Sequence, residues 1–95
     1  MKPYLLKNEE IKELTAKIPG WEIHPSHIER DISFQNFVDA FSFMTKVALL
    51  AEKYNHHPNW ENVYSQVRIK LFTHDLGGIS SLDYVLASEI NNLLK

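Results

Sequence analysis

Ninety-five residues carrying 10 Lys+Arg against 12 Asp+Glu, a formal net charge of -2, suffice for one domain (1–95) with one core and leave no second domain to hold a nucleotide cofactor. The charge balance provides no positive field for gathering phosphates, so nucleic acid is not an expected partner. With no cysteine there is no disulfide, no thiolate nucleophile and no Cys-based zinc site, and without a signal peptide or long apolar run the expectation is a soluble, cytoplasmic protein that does not meet a membrane.

Asn8 followed by Glu9 and Glu10 reads as an N-cap with acids in the first turn. Ile11, Leu14 and Ile18 then recur at helical spacing until Pro19-Gly20, which predicts a first helix over about 8–18. Trp21 to Ile23 and Ile28 to Phe34 alternate apolar with polar residues around His24-Pro25-Ser26-His27, the pattern of a hairpin. From Asn36 the period becomes helical: Phe37, Ala40, Phe41, Met44, Val47, Ala48 and Ala51 form a stripe that Val38, Phe43 and Leu50 widen. That helix is expected to be the most buried element, and Pro58 bars it from running much past His56.

Val63, Ser65, Val67, Ile69 and Leu71 share one parity and Tyr64, Gln66, Arg68, Lys70 and Phe72 the other, which predicts a strand with one mainly aliphatic face turned to the helices. Gly77-Gly78 makes a loop. Ser80 to Asp83 opens a last helix, whose Leu82, Val85, Leu86, Ile90 and Leu93 point to a core. The order α-β-β-α-β-α predicts an α+β sandwich of two layers, with three or four antiparallel strands covered on one side by three helices.

The chemistry concentrates in Glu52-Lys-Tyr-Asn-His56-His57-Pro58 and in Thr73-His74, which bring three of the five imidazoles to the ends of a helix and of the following strand. Histidine, with an ordinary pKa of about 6.5, both takes and gives a proton near neutrality, so three converging rings would form a proton-transfer site. Adjacent helical residues project about 100 degrees apart, so His56 and His57 do not make the i,i+4 pair that grips a metal, and none is expected. Glu52, one turn before His56, is placed to orient that ring or raise its pKa, and reads equally as an ordinary exposed helix acid. Ser80-x-x-Asp83 fits a capping box, which makes capping the first role of Asp83. Trp21, Trp60, Tyr64 and Phe72 could stack on a flat heterocycle, but Tyr64 and Phe72 read as structural, and His24 and His27 as solvated loop histidines outside the site.

Taken together, Glu52, His56, His57, Pro58, Tyr64, Thr73, His74, Gly78, Ile79, Ser80 and Asp83, with Gly20-Trp21 and Phe43-Met44-Thr45 upstream, resemble the pterin-4a-carbinolamine dehydratases over nearly the whole chain. Ile79 and Ser80 stand where that family commonly has Leu and Thr. The resemblance implies a four-stranded sheet in the order α-β-β-α-β(β)-α, the extra strand coming from the region around Trp60 or from division of the long third strand. It implies a hydro-lyase that dehydrates 4a-hydroxytetrahydrobiopterin to the quinonoid dihydropterin by histidine acid/base catalysis, in tetrahydrobiopterin recycling. His56, His57 and His74 are then catalytic, and Glu52, Trp21, Pro58, Thr73 and Asp83 bind substrate or support, with Trp21 near the pterin. No cofactor is implied. The expected partners are the pterin, a second copy in a homodimer or homotetramer, and a functional link to an aromatic amino acid hydroxylase. The competing class is a non-enzymatic interaction module on the same fold, acting as a dimerisation or assembly cofactor; a sheet that stacks RNA bases on Tyr64 and Phe72 is disfavoured by element order and charge.

Overall fold

The computed structural model describes residues 2–95 and has the order α-β-β-α-β-β-α with one short 3-10 turn before the last helix. Helix α1 runs Asn8–Lys17. Lys7, not Asn8, occupies its N-cap: the Lys7 backbone N–H donates to the Glu10 carboxylate at 2.8 Å, so the acid three residues on does the capping and Asn8 is already helical. Strands β1 (Glu22–Ile23) and β2 (Ile28–Ser33) form the expected hairpin, closed by His24 N–H donating to His27 C=O at 2.9 Å. Helix α2 (Phe37–Tyr54) starts where Asn36 accepts from Asp39 N–H at 2.8 Å.

The extra strand implied by the resemblance forms around Trp60 as β3 (Asn59–Val63), and the strand expected over 63–72 is shortened to β4 (Gln66–Leu71), paired antiparallel with β3 about Tyr64-Ser65. Tyr64 takes a left-handed φ of 53°, which an unbroken strand cannot contain. The parity rule therefore fails at the turn: Val67, Ile69 and Leu71 are buried as expected, whereas Val63, of the same parity, is exposed. The sheet order is β1-β2-β4-β3, antiparallel throughout, with Ile28 opposite Leu71, Arg30 opposite Ile69 and Ile32 opposite Val67.

Helix α3 (Ser81–Leu93) completes the helical layer. The core is continuous from Leu14 and Ile18 of the first helical segment through Ile28, Val67, Ile69 and Leu71 of the sheet to Val47, Leu86 and Ile90 of the other helices. The opposite sheet face carries charge: Arg68 Nε donates to Asp31 at 2.8 Å and lies within 3.6 Å of Glu29. That hydrogen bond and those neighbouring carboxylates hold the guanidinium more firmly protonated than usual.

Contrary to expectation, α2 is not the most buried element. Ala40, Phe43, Val47 and Ala51 face the core, but Phe37, Val38, Phe41 and Leu49 are exposed, whereas the shorter α3 buries Ser81, Asp83, Leu86, Ala87 and Ile90. A stripe this wide exceeds what one sheet can cover, so part of it faces outward. No helix among the described residues is long and apolar enough to cross a membrane.

Candidate active site

The site begins with how α2 stops. Asn55 adopts φ 50°, ψ 44°; its N–H donates to Glu52 C=O, and His56 N–H reaches back to Ala51 C=O at 3.0 Å. These paired bonds with a left-handed residue between them form a Schellman motif, and asparagine is among the few non-glycine residues that tolerate the position. His56 and His57 thus leave the helix path, and the i,i+4 relation between Glu52 and His56 is lost. Glu52 does not orient His56. Its carboxylate meets His57 Nε2 at 2.5 Å, in a pair that remains largely solvent-exposed.

His56 instead faces the start of α3, where its Nε2 lies 2.6 Å from Asp83 Oδ1. Asp83 is fully buried. Its other oxygen accepts from Ser80 N–H at 2.8 Å, the capping-box bond, and from Thr73 Oγ1–H at 2.9 Å. Because a hydroxyl carries one proton, Thr73 cannot also donate to Ser80 Oγ, 2.5 Å away; Ser80 must donate to Thr73, while its oxygen accepts from Leu82 N–H. The donors run Ser80 to Thr73 to Asp83, and the remaining carboxylate oxygen is left for an Nε2–H of His56. Direction along such a chain puts a proton on His56 Nε2, so that in the neutral ring Nδ1 is the acceptor.

The N-terminal segment roofs this network. Leu6 N–H donates to Ile79 C=O at 2.9 Å, and Tyr4 exchanges bonds with Ser81 through its N–H and C=O. Ser80 and Ser81 are consequently buried. Thr73 also closes the loop that carries His74: its C=O accepts from Leu76 and Gly77, and its N–H donates to Gly78 C=O at 2.8 Å. Gly77, at φ 74°, permits this tight return, in which His74 begins a single 3-10 turn.

The three elements bound an open cleft of about 610 Å³, within the roughly 300–1,000 Å³ of small-molecule sites. His56, His57, Pro58, Thr73 and His74 all line it. Trp21 does not: it is buried, and its Nε1–H donates to Asn91 Oδ1 at 2.8 Å, near the far end of α3 from Asp83. Eight residues separate Asp83 from Asn91, about 12 Å along a helix, so Trp21 belongs to the opposite pole of the core. Trp60 and Phe72 supply the aromatic surface of the cleft, beside Asn59, Lys70 and Asp75. Phe72, which the sequence suggests is structural, reaches the cleft because the alternation of β4 continues past Leu71: Leu71 and Thr73 are buried, and Phe72 turns to the side of Lys70, which also lines the cleft. Trp60 lies in β3, the extra strand that the resemblance implies for this region, and its partner Ile69 places it on the inner face near the cleft.

The chain matches the family model described as Pterin 4 alpha carbinolamine dehydratase over residues 4–93. It is 68% identical over 95 residues to a protein of Prochlorococcus marinus strain MIT 9515 provisionally named pterin-4-alpha-carbinolamine dehydratase, covering 100% of this chain and 99% of that one. A protein with the same provisional name from strain MIT 9313 is 51% identical over 89 residues, covering 94% and 93%. Among solved structures, a transcriptional coactivator/pterin dehydratase from Brucella melitensis superposes with a TM-score of 0.91 at 35% identity, over 97% of this chain and 100% of that one. A pterin dehydratase-like protein identified as a RuBisCO assembly factor in the alpha-carboxysome shares the fold at TM-score 0.63 and 22% identity, over 77% of this chain and 84% of that one.

Proposed function

Since the chain belongs to the pterin 4 alpha carbinolamine dehydratase family, we propose that it removes water from 4a-hydroxytetrahydrobiopterin, giving the quinonoid dihydropterin, by proton transfer among His56, His57 and His74. The observation that carries this reading is the 2.6 Å contact of His56 with Asp83, whose carboxylate is itself held by Thr73 and Ser80. A ring so held offers Nδ1 to the cleft as a proton acceptor, and the buried carboxylate balances the charge that develops on it.

Dehydration needs one proton delivered to the 4a hydroxyl as the C–O bond breaks and one removed from the ring nitrogen N5 as the C=N bond forms. Water leaves, and the net charge of the pterin is unchanged. His57, whose Nε2 faces Glu52, and His74, on its short turn, flank the same cleft. Three imidazoles at one opening allow a neutral ring and a protonated ring to act together, which is the requirement of this reaction near neutral pH. Trp60 and Phe72 offer faces on which a flat bicycle stacks, and Pro58 shapes the wall beside them. No resident cofactor enters this scheme. It operates in the cytoplasm alongside an aromatic amino acid hydroxylase, the class of enzyme that generates the carbinolamine.

The test couples purified protein to a phenylalanine hydroxylase and follows the decay of carbinolamine absorbance. Decay faster than the uncatalysed rate is expected, and no acceleration at any protein concentration would end the assignment. Self-association belongs to the same proposal, as a dimer or tetramer, because β3 lies at the sheet edge with one side unpaired; a monomer mass by light scattering at micromolar concentration would remove it. The exposed apolar side of α2, including Val38 and Leu49, favours a second reading as a dimerisation or assembly cofactor. A protein that binds a macromolecular partner and leaves the carbinolamine untouched would establish that alternative.

A further inference from the structure

The hairpin β1–β2 holds a second group of histidines that the cleft does not use. His24 and His27 flank its two-residue turn with their rings stacked, centroids 4.5 Å apart and planes 13° from parallel. They are not simply solvated loop residues. His24 Nε2 is shielded from solvent and has no hydrogen-bond partner among the described residues, its nearest carboxylate oxygen being that of Glu22 at 3.9 Å. His27 Nε2 lies 3.4 Å from Glu29 Oε1, and Ser26 Oγ lies 3.1 Å from His27 Nδ1. Ligand atoms of His24, His27 and Glu29 all fall within 4.8 Å of one another.

We propose that this hairpin binds one divalent transition-metal cation of the zinc class, ligated by His24, His27 and Glu29. The donor set is two imidazoles and one carboxylate, which suits zinc, and leaves one tetrahedral position for water or for Glu22. A tetrahedral ion with bonds of about 2.0–2.1 Å holds its donor atoms about 3.3–3.4 Å apart, which is the His27–Glu29 separation already present. A hydrogen bond from His27 Nδ1–H to Ser26 leaves the Nε2 lone pair free, the usual way in which an outer partner sets the tautomer of a ligating histidine. His24 supplies the unsatisfied nitrogen.

Charge points the same way. Glu22 and Glu29 stand directly opposite each other across the strands, a like-charge pairing that a bound cation relieves. Lys70 at 3.9 Å and Arg68 at 3.6 Å already offset part of the Glu29 charge, so the site recruits Glu29 from an existing pair. A metal lies in the plane of each imidazole it binds, so the stacked rings turn about their side-chain torsions to converge on it. The rings are half-buried beside the exposed Pro25-Ser26 turn. The bound ion ties the two-residue strand β1 to β2 at the sheet margin.

Chelator-stripped protein titrated with zinc by calorimetry should take up one ion per chain, and cobalt substitution should give the intense visible bands of a tetrahedral site. His24→Ala and His27→Ala should each weaken zinc binding at least about 10-fold, and Glu29→Gln less. In the wild-type protein, zinc should shift the ring resonances of His24 and His27 and leave those of His56, His57 and His74 in place, a readout that does not depend on any variant folding. Unmoved His24 and His27 resonances, undiminished affinity in both alanine variants, or loss of binding on His56→Ala instead would each overturn the proposal. None of these readouts depends on dehydratase turnover, so this proposal and the catalytic one fail separately.

Discussion

The five histidines lie in two places that differ in what stands behind the rings. At the exit of α2, His56 is backed by a buried carboxylate whose own partners, Thr73 and Ser80, are fixed by the backbone of two other elements. At the β1–β2 turn, His24 and His27 stack on each other, Ser26 and Glu29 lie beside the two nitrogens of His27, and Nε2 of His24 has no partner among the described residues. Residue type alone does not separate the two clusters. What separates them is the burial of the group behind the rings: His56 Nε2 meets the fully buried Asp83, whereas the carboxylates beside the turn, Glu22 and Glu29, keep solvent contact and His24 Nε2 has no partner among the described residues.

The largest expected effect tests the first half of that contrast. His56→Ala should reduce carbinolamine turnover by about 100- to 10,000-fold, read by the hydroxylase-coupled assay, with His57→Ala and His74→Ala falling in the same range or below it where a neighbouring ring substitutes. Combining two of them should lower turnover further without unfolding the chain. Turnover at the wild-type rate in folded single and double variants would dissolve the distinction between the two clusters.

Asp83 comes next, because it serves both the fold and the ring. Asp83→Ala strands the buried Ser80 N–H and Thr73 hydroxyl, a loss of about 1–3 kcal/mol, seen as a melting temperature lowered by about 4–8 °C per kcal/mol in a domain of this size. Asp83→Asn keeps an acceptor for the cap and loses the carboxylate opposite His56. It should melt closer to wild type yet turn over about 10- to 100-fold more slowly, as when an outer partner of a functional histidine is removed. Equal losses of stability and activity in the two variants would reduce Asp83 to a helix cap.

A smaller effect is expected at Glu52, whose pair with His57 is 76% exposed on the acid side. Solvent screens such pairs to about 0.2–1 kcal/mol, so Glu52→Gln should leave the melting temperature within a few degrees and lower turnover only a few-fold. A loss as large as that of His57→Ala would show that the exposed carboxylate takes part in proton transfer. The smallest effect belongs to the other cluster. His24→Ala and His27→Ala should leave carbinolamine turnover within about twofold of wild type, since neither ring lines the cleft; a hundredfold loss, on the scale of general acid–base catalysis, would join the two clusters into one functional unit.

Much of this was legible along the chain because it depends on neighbours in sequence. The alternation in Val67, Ile69 and Leu71, the change to a helical period from Asn36 and the capping box from Ser80 to Asp83 are local patterns, and each forms as its spacing requires. The breaks in local pattern were harder to read. Asn55 and Tyr64 are the two non-glycine residues at positive φ among those described; one redirects His56 and His57 away from Glu52, and the other divides a predicted strand into the hairpin that brings Trp60 to the cleft. Asparagine in αL is compatible with many contexts, and nothing in the run around Tyr64 signals a turn in the way that Asn-Gly would.

The sequence by itself determined the layer architecture and the cap that Asp83 makes with Ser80, because periodicity and short-range hydrogen bonding act over a few residues, and the resemblance named the three cleft histidines as a set. Only the tertiary structure decided which acid meets which ring. His56 and Asp83 are 27 positions apart and His57 and Glu52 only five; both pairings depend on where α2 ends, and the first also on how α3 docks against it. The same docking sends Trp21 to the far pole, where Asn91 takes its N–H, because a side chain's partners follow from the packing of whole elements, and no spacing rule along the chain encodes that.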